Sequence, residues 1–190
     1  ISSGVVGERR VFQAMQQLKE RYPDMIVLEN FHFEYGEKKP DSKRPTSECD
    51  MLILTCGGIY CVEVKNYGEN ANYIIEIEET GKWNKRYGEQ LHPIDDLPFR
   101  QNETHITTLN LEFSELFKSM TNDGSELKIT PLVVVPNATT IDNHSKNPEH
   151  IVLNINGLCK YITEEAKIYS MDKVRKVAET LAKRGDPASE

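Results

Sequence analysis

Much that marks a specialised class of protein is scarce in this chain. Only four cysteines, at 49, 56, 61 and 159, occur in 190 residues. Their spacing matches no paired-cysteine zinc motif, and so few do not make a disulfide framework at this length. A reduced, cytoplasmic protein is the expectation. Apolar runs are short, as at Leu132–Val135, far below the roughly 20 residues of a membrane span, so no membrane partner is expected. Ile1-Ser2-Ser3-Gly4 lacks a charged stretch followed by an apolar one, which predicts no signal peptide. The missing initiator Met reads as a trimmed or longer chain, with room for a fused partner domain. Positive charge is also short: the net charge of −7 argues against a protein that coats nucleic acid by bulk electrostatics. It leaves open a local basic groove, or a carboxylate-rich metal site that adds to the negative count.

What remains is an ordinary globular composition, 38% apolar and 28% charged, without repeats or low-complexity tracts. Residues 4–22 carry Val11, Met15, Leu18 and Tyr22 at helical spacing, with Phe12 widening the stripe. Met25–Tyr35 is rich in strand formers, and Gly36–Glu48, with no apolar residue, reads as an exposed loop. Cys49–Asn66 predicts a β-hairpin turning at Gly57-Gly58, and Tyr73–Tyr87 a second one turning at Glu79-Thr80-Gly81. Helical patterning returns over Asp95–Met120, 156–165 and 170–184, with short strands at Thr130–Pro136 and Ile151–Leu153. The order predicts one α/β domain over 1–190, a central mixed β-sheet of roughly five or six strands flanked by helices.

The chemistry concentrates in Asp50-Met-Leu-Ile-Leu-Thr-Cys-Gly-Gly-Ile-Tyr-Cys-Val-Glu63-Val-Lys65. A loop at Gly57-Gly58 sets Asp50 opposite Lys65 and Leu52 opposite Glu63. Residues two apart in a strand share a face, so Glu63 and Lys65 point the same way, with Asp50 roughly 7–8 Å away diagonally from Glu63. Met51, Ile53, Tyr60, Val62 and Val64 fall on the other face as core. Two carboxylates brought together cost several kcal/mol without compensation. Hard oxygen donors of this kind suit Mg²⁺ or Mn²⁺. A cation there activates water and neutralises charge on a phosphate, and Lys65 could orient that water. The bland reading is an exposed face with an Asp50–Lys65 ion pair contributing under ~1 kcal/mol. Glu8 lies on the apolar stripe of the first helix, where an acid needs a partner, unless it merely complements the helix dipole. Gln101 and His105 share a helical face at i, i+4, which suits a held water or phosphate oxygen as well as a solvated surface.

These pieces together resemble the nuclease-related domain, a branch of the PD-(D/E)XK nuclease-like superfamily. The resemblance runs over about 4–136 in an ordered series. It takes in Gly7-Glu8 with Val11 and Leu18, Asp50 before an apolar strand, and Gly58-Ile-Tyr-Cys-Val-Glu63-Val-Lys65-Asn66 followed by Tyr67-Gly68. Then come Gly81-Lys82-Trp83, Pro98 with Gln101 and His105, and Val133-Val134-Val135. It implies a restriction-endonuclease-like fold and divalent-metal-dependent cleavage of phosphodiester bonds, with DNA as the implied partner. Asp50, Glu63 and Glu8 would hold Mg²⁺ or Mn²⁺, Lys65 would be the catalytic lysine, and Gln101 the helical glutamine. Thr46-Ser47-Glu48-Cys49 stands where the family usually carries a glutamine, and Leu97 where an asparagine precedes the proline. The alternative is a non-catalytic nucleic-acid-binding or protein-docking module that keeps the fold.

The remaining candidates are weaker. His32, His92, His144 and His150 show no metal-ligand spacing. Trp83 either stacks on a base or packs in its hairpin. Lys38, Lys39, Lys43, Arg44, Lys82, Lys85, Arg86 and Arg100 either rim a phosphate-contacting groove or are solvated surface. Cys49 and Cys61 lie off one another's pairing position, so no disulfide is expected between them.

Overall fold

A computed structural model describes residues 3–68 and 72–185. Its elements run in the order α1 (Ser3–Arg21), β1 (Ile26–Glu34), β2 (Thr46–Thr55), β3 (Gly58–Val64), β4 (Ile74–Ile77), β5 (Trp83–Tyr87), β6 (Gln90–Pro93), α2 (Pro98–Lys118), β7 (Thr130–Val134), β8 (Thr140–Asn143), β9 (Val152–Leu153), α3 (Ile155–Glu164) and α4 (Met171–Arg184). Among the described residues no helix is long and apolar enough to cross a membrane.

The strands form two mixed sheets where the sequence predicts one. The main sheet runs β1-β2-β3-β7-β9, antiparallel as far as β3 and parallel beyond it; the second runs β6-β5-β4-β8. Helices cover both faces of the main sheet. Val11, Met15 and Leu18 of α1, with Leu158 and Ile162 of α3, pack on Met51, Ile53, Tyr60 and Val62. Leu109, Phe113 and Phe117 of α2, with Val174, Val177 and Leu181 of α4, pack on Leu52, Leu54, Ile59 and Cys61. The face that carries the acids is therefore core as well, and polar chemistry is confined to one end of it. The second sheet has its own core around Tyr73, Ile75, Ile77 and Trp83. Trp83 is buried there, so its base-stacking role is excluded.

The register of the central hairpin differs from the predicted one by two residues. Thr55 pairs with Gly58 and Met51 with Val62, leaving Cys56-Gly57 as the turn. Gly58 starts β3 at a φ of 152°, a conformation L side chains rarely adopt. The Cys56 carbonyl accepts from the N–H groups of both Ile168 and Tyr169, which fixes this tighter turn. A shift of two preserves the faces but changes the partners. The same register carried one step further sets Asp50 opposite Glu63, not Lys65.

β2 also twists at Asp50. Cys49 packs in the α2 layer and Met51 in the α1 layer, although only one residue separates them. On β1, Asn30 faces this point at a φ of 47° and is skipped by the pairing. The twist brings the free thiols of Cys49 and Cys61 to 3.5 Å, closer than their sequence register suggests.

Candidate active site

The hairpin opens at its Asp50 end, and the site lies in that fork. Beyond the Met51–Val62 pair, the Asp50 Oδ2 replaces a strand partner and accepts from the Val64 N–H at 2.8 Å. Glu8 approaches from α1 and hydrogen-bonds Asp50 through its side chain. It can do so because Gly7 lets the helix close on the segment that follows β3: a Cβ on Gly7 would lie 2.7 Å from the Asn66 Cβ. Glu63 is 7% exposed. Its Oε1 is 3.6 Å from Lys65 Nζ and its Oε2 is 3.3 Å from His105 Nδ1 on α2. Lys65 Nζ is in turn 3.5 Å from Asp96 Oδ2, in the loop ahead of α2.

The charges do not balance. Burial first, and then the Glu63 carboxylate, push Asp50 up to about 7, against the pull of the Val64 N–H. Burial also raises Glu8, opposed by its hydrogen bond to Asp50 and reinforced by Glu48 and Glu63. Burial alone would depress His105, but contact with Glu63 and the fields of Asp50 and Glu48 outweigh it and raise its pKa. Glu63 Oε2 and His105 Nδ1 are buried in ionic contact, yet neither has an aligned hydrogen bond among the described residues. Three carboxyl groups thus crowd a partly dry fork with Lys65 and His105 as the nearby cations.

The donor set fits a hard divalent cation: carboxylate oxygens only, a Glu63 oxygen with no aligned hydrogen bond, and an Asp50 whose pKa, pushed up to about 7, an arriving positive charge would bring down. As they stand, no three His, Cys, Asp or Glu side chains among the described residues are spaced as a finished metal site. Side-chain adjustment would be part of binding.

Glu8, Asp50, Glu63 and Lys65 are therefore brought together, and His105 joins them. Gln101 lies beside them on α2; its Oε1 is buried without a partner among the described residues, and it borders a cleft with Asp96 and His105. The loop cations scatter. Arg44 is paired with Glu34 and Glu112, Arg86 with Glu76, and Lys38, Lys39, Lys43 and Lys82 are exposed. Lys85 and Arg100 border the clefts next to the site. Sequence reasoning misses Asp96, whose partner is set by the tertiary path of a loop. It also misses Asn102, whose Nδ2 donates to the Cys61 and Leu132 carbonyls and pins α2 to β3 and β7. An amide one residue after Gln101 on a helix is the one signal the sequence holds for that clamp.

A mixed sheet with two acids and a lysine at the open end of its central hairpin, beside an acid on the first helix, defines a nuclease-like α/β fold. The sequence model described as the nuclease-related domain matches residues 3–136. The chain belongs to the nuclease-related domain family. No curated protein and no solved structure matches it.

Proposed function

We propose that this protein is a divalent-metal-dependent nuclease that hydrolyses phosphodiester bonds, with DNA as its substrate. The observation that carries the reading is the under-compensated fork, where Glu8 reaches Asp50 and Asp50 faces Glu63 with a pKa driven to about 7. A protein gains nothing in stability from crowding three acids in this way. Asp50, Glu63 and Glu8 would hold Mg²⁺ or Mn²⁺, which supplies Lewis-acid activation of water and charge neutralisation at phosphate. Lys65 sits between Glu63 and Asp96, so its three N–H donors are aimed without being consumed by one partner. It orients the attacking water and stabilises charge building on the phosphate oxygens. Gln101 offers its unpartnered Oε1 as an acceptor for a water at the cleft wall, and its Nε2 would donate to a phosphate oxygen.

The test is conversion of supercoiled plasmid in Mg²⁺ and in Mn²⁺, with EDTA and Lys65→Ala controls. Metal-dependent nicking is expected, reduced at least ~100-fold in Lys65→Ala while the circular dichroism spectrum is unchanged. Equal nicking by the variant would overturn the role of Lys65. Absence of nicking by the wild type on plasmid, single strands and RNA alike would leave the fold as a binding module.

A further inference from the structure

Two open clefts adjoin at Asp95 and Asp96, which line both; Tyr67, Tyr87 and His92 border one, Arg100 and Gln101 the other. Taken end to end they make one trough. It runs from the β5–β6 hairpin of the second sheet to the first turn of α2, and passes the carboxylate that holds Lys65 at 3.5 Å.

The trough is poorly equipped for a duplex. Double-stranded DNA carries one charge per about 1.7 Å of its axis and is held by rows of Lys and Arg. Here Lys85 and Arg100 are offset by Asp95 and Asp96, on a chain of net charge −7. Lys85 is moreover engaged inside the protein: its Nζ donates to the Tyr67 carbonyl at 2.9 Å and lies 4.9 Å from the centre of the Tyr87 ring. What the trough does offer is aromatic surface. Tyr87 is 36% exposed, and His92, also exposed, meets it edge-on with ring centres 6.2 Å apart. Such rings bind bases by stacking and tolerate any sequence, each stack adding to what contacts with the backbone supply. In a duplex the base faces are already taken by neighbouring bases. An unpaired strand leaves them free.

We infer that the trough takes an unpaired stretch of nucleic acid, a single strand or a frayed end, with Tyr87 and His92 stacking on its bases next to the bond presented to Lys65. The inference rests on the nuclease reading for the direction of the strand across the site, but its test does not. Fluorescence anisotropy would be measured in EDTA with a labelled single-stranded DNA of about 20 nucleotides and with its duplex. The single strand should bind at least about tenfold more tightly than the duplex. Tyr87→Ala and His92→Ala should each weaken it about tenfold, which is what one lost stack is worth, and Tyr87→Phe should restore it. A thermal melt confirms that each variant is folded. Duplex binding as tight as single-strand binding, no binding of either, or alanine variants that bind like wild type would each overturn the inference. Single-strand binding without cleavage in any metal would leave it standing and remove the nuclease reading. Cleavage without single-strand preference would do the reverse.

Discussion

At the scale of single residues, Asp50 sets the site's pH behaviour. Its pKa rises from 3.8 to about 7 on folding because the fork is partly dry and Glu63 faces it. A raised acid pKa means that the native state binds more protons than the unfolded chain between those values, so stability falls as pH rises from about 4 to about 7. His105 pushes the same way. Its raised pKa contributes stability that is present below its unfolded value and lost as pH passes its folded one. Asp50→Asn keeps an acceptor for the Val64 N–H and gives Glu8 a donor. In metal-free protein it should gain ~1–3 kcal/mol at about pH 8, the gain shrinking steadily toward about pH 4. Urea melts of both proteins across that range check this, and an asparagine variant less stable at the upper end would contradict it. Asp96 acts through Lys65. Asp96→Asn removes one of the two anions beside the Nζ, which leaves the ammonium less well aimed. We expect kcat to drop ~10-fold at nearly constant KM. A merely structural role would lower Tm and leave the kcat of the folded protein where it is.

At the scale of elements, the site exists because α1 approaches the chain just beyond β3 closely at Gly7, against the Asn66 side chain. Gly7→Ala brings two opposed effects. Alanine favours a helix interior by ~1 kcal/mol over glycine, but its Cβ would lie 2.7 Å from the Asn66 Cβ, an atom fixed to the chain. Overpacking of this kind costs ~1–3 kcal/mol, so the clash wins and α1 moves outward, carrying Glu8 away from Asp50. Cleavage should fall at least ~10-fold for a Tm loss of only a few degrees, about 2–4 °C per kcal/mol at this size. Activity and melting of the same preparation decide it. The elements that build this contact are legible in the sequence, since α1, α2 and α4 carry apolar stripes and β1, β2, β3 and β7 are short apolar or alternating runs. β6 and β8 are not. Gln90–Pro93 and Thr140–Asn143 are polar edge strands whose side chains are almost all exposed, so only their backbones belong to a sheet. Asp50, Glu63 and Lys65 could be read from strand alternation, and Glu8 from a stripe it interrupts. Their pairing could not: Gly58, at a φ of 152°, moves the turn and with it every partner. Asp96 and the meeting of Cys49 with Cys61 depend on a loop path and a twist, neither of which leaves a local pattern.

At the scale of the whole molecule, the family match ends at 136, yet the residues C-terminal to it complete both sheets and both helical layers. β8 pairs with β4 and β9 with β7, closing one edge of each sheet. α3 adds Leu158 and Ile162 to the α1 layer, and α4 adds Val174, Val177, Ala178 and Leu181 to the α2 layer. Arg184 of α4 and Arg44 of the β1–β2 loop meet on Glu112 of α2, tying three distant segments at one carboxylate. Burying one large aliphatic side chain stabilises by ~1.5–3 kcal/mol. The side chains of α3 and α4 together therefore rival the ~5–15 kcal/mol that separates a typical folded domain from its unfolded state. Their removal would also bare the α2 face of the sheet around Leu52, Leu54 and Ile59. We accordingly expect 1–190 to behave as one folding unit and a chain ending at 136 to lose cooperative melting, bind a hydrophobic dye and cleave nothing, although it contains every acid, the lysine and the glutamine of the site. A truncated chain that melts cooperatively and keeps its activity would show instead that the matched segment is a domain by itself, with the C-terminal helices an addition to it.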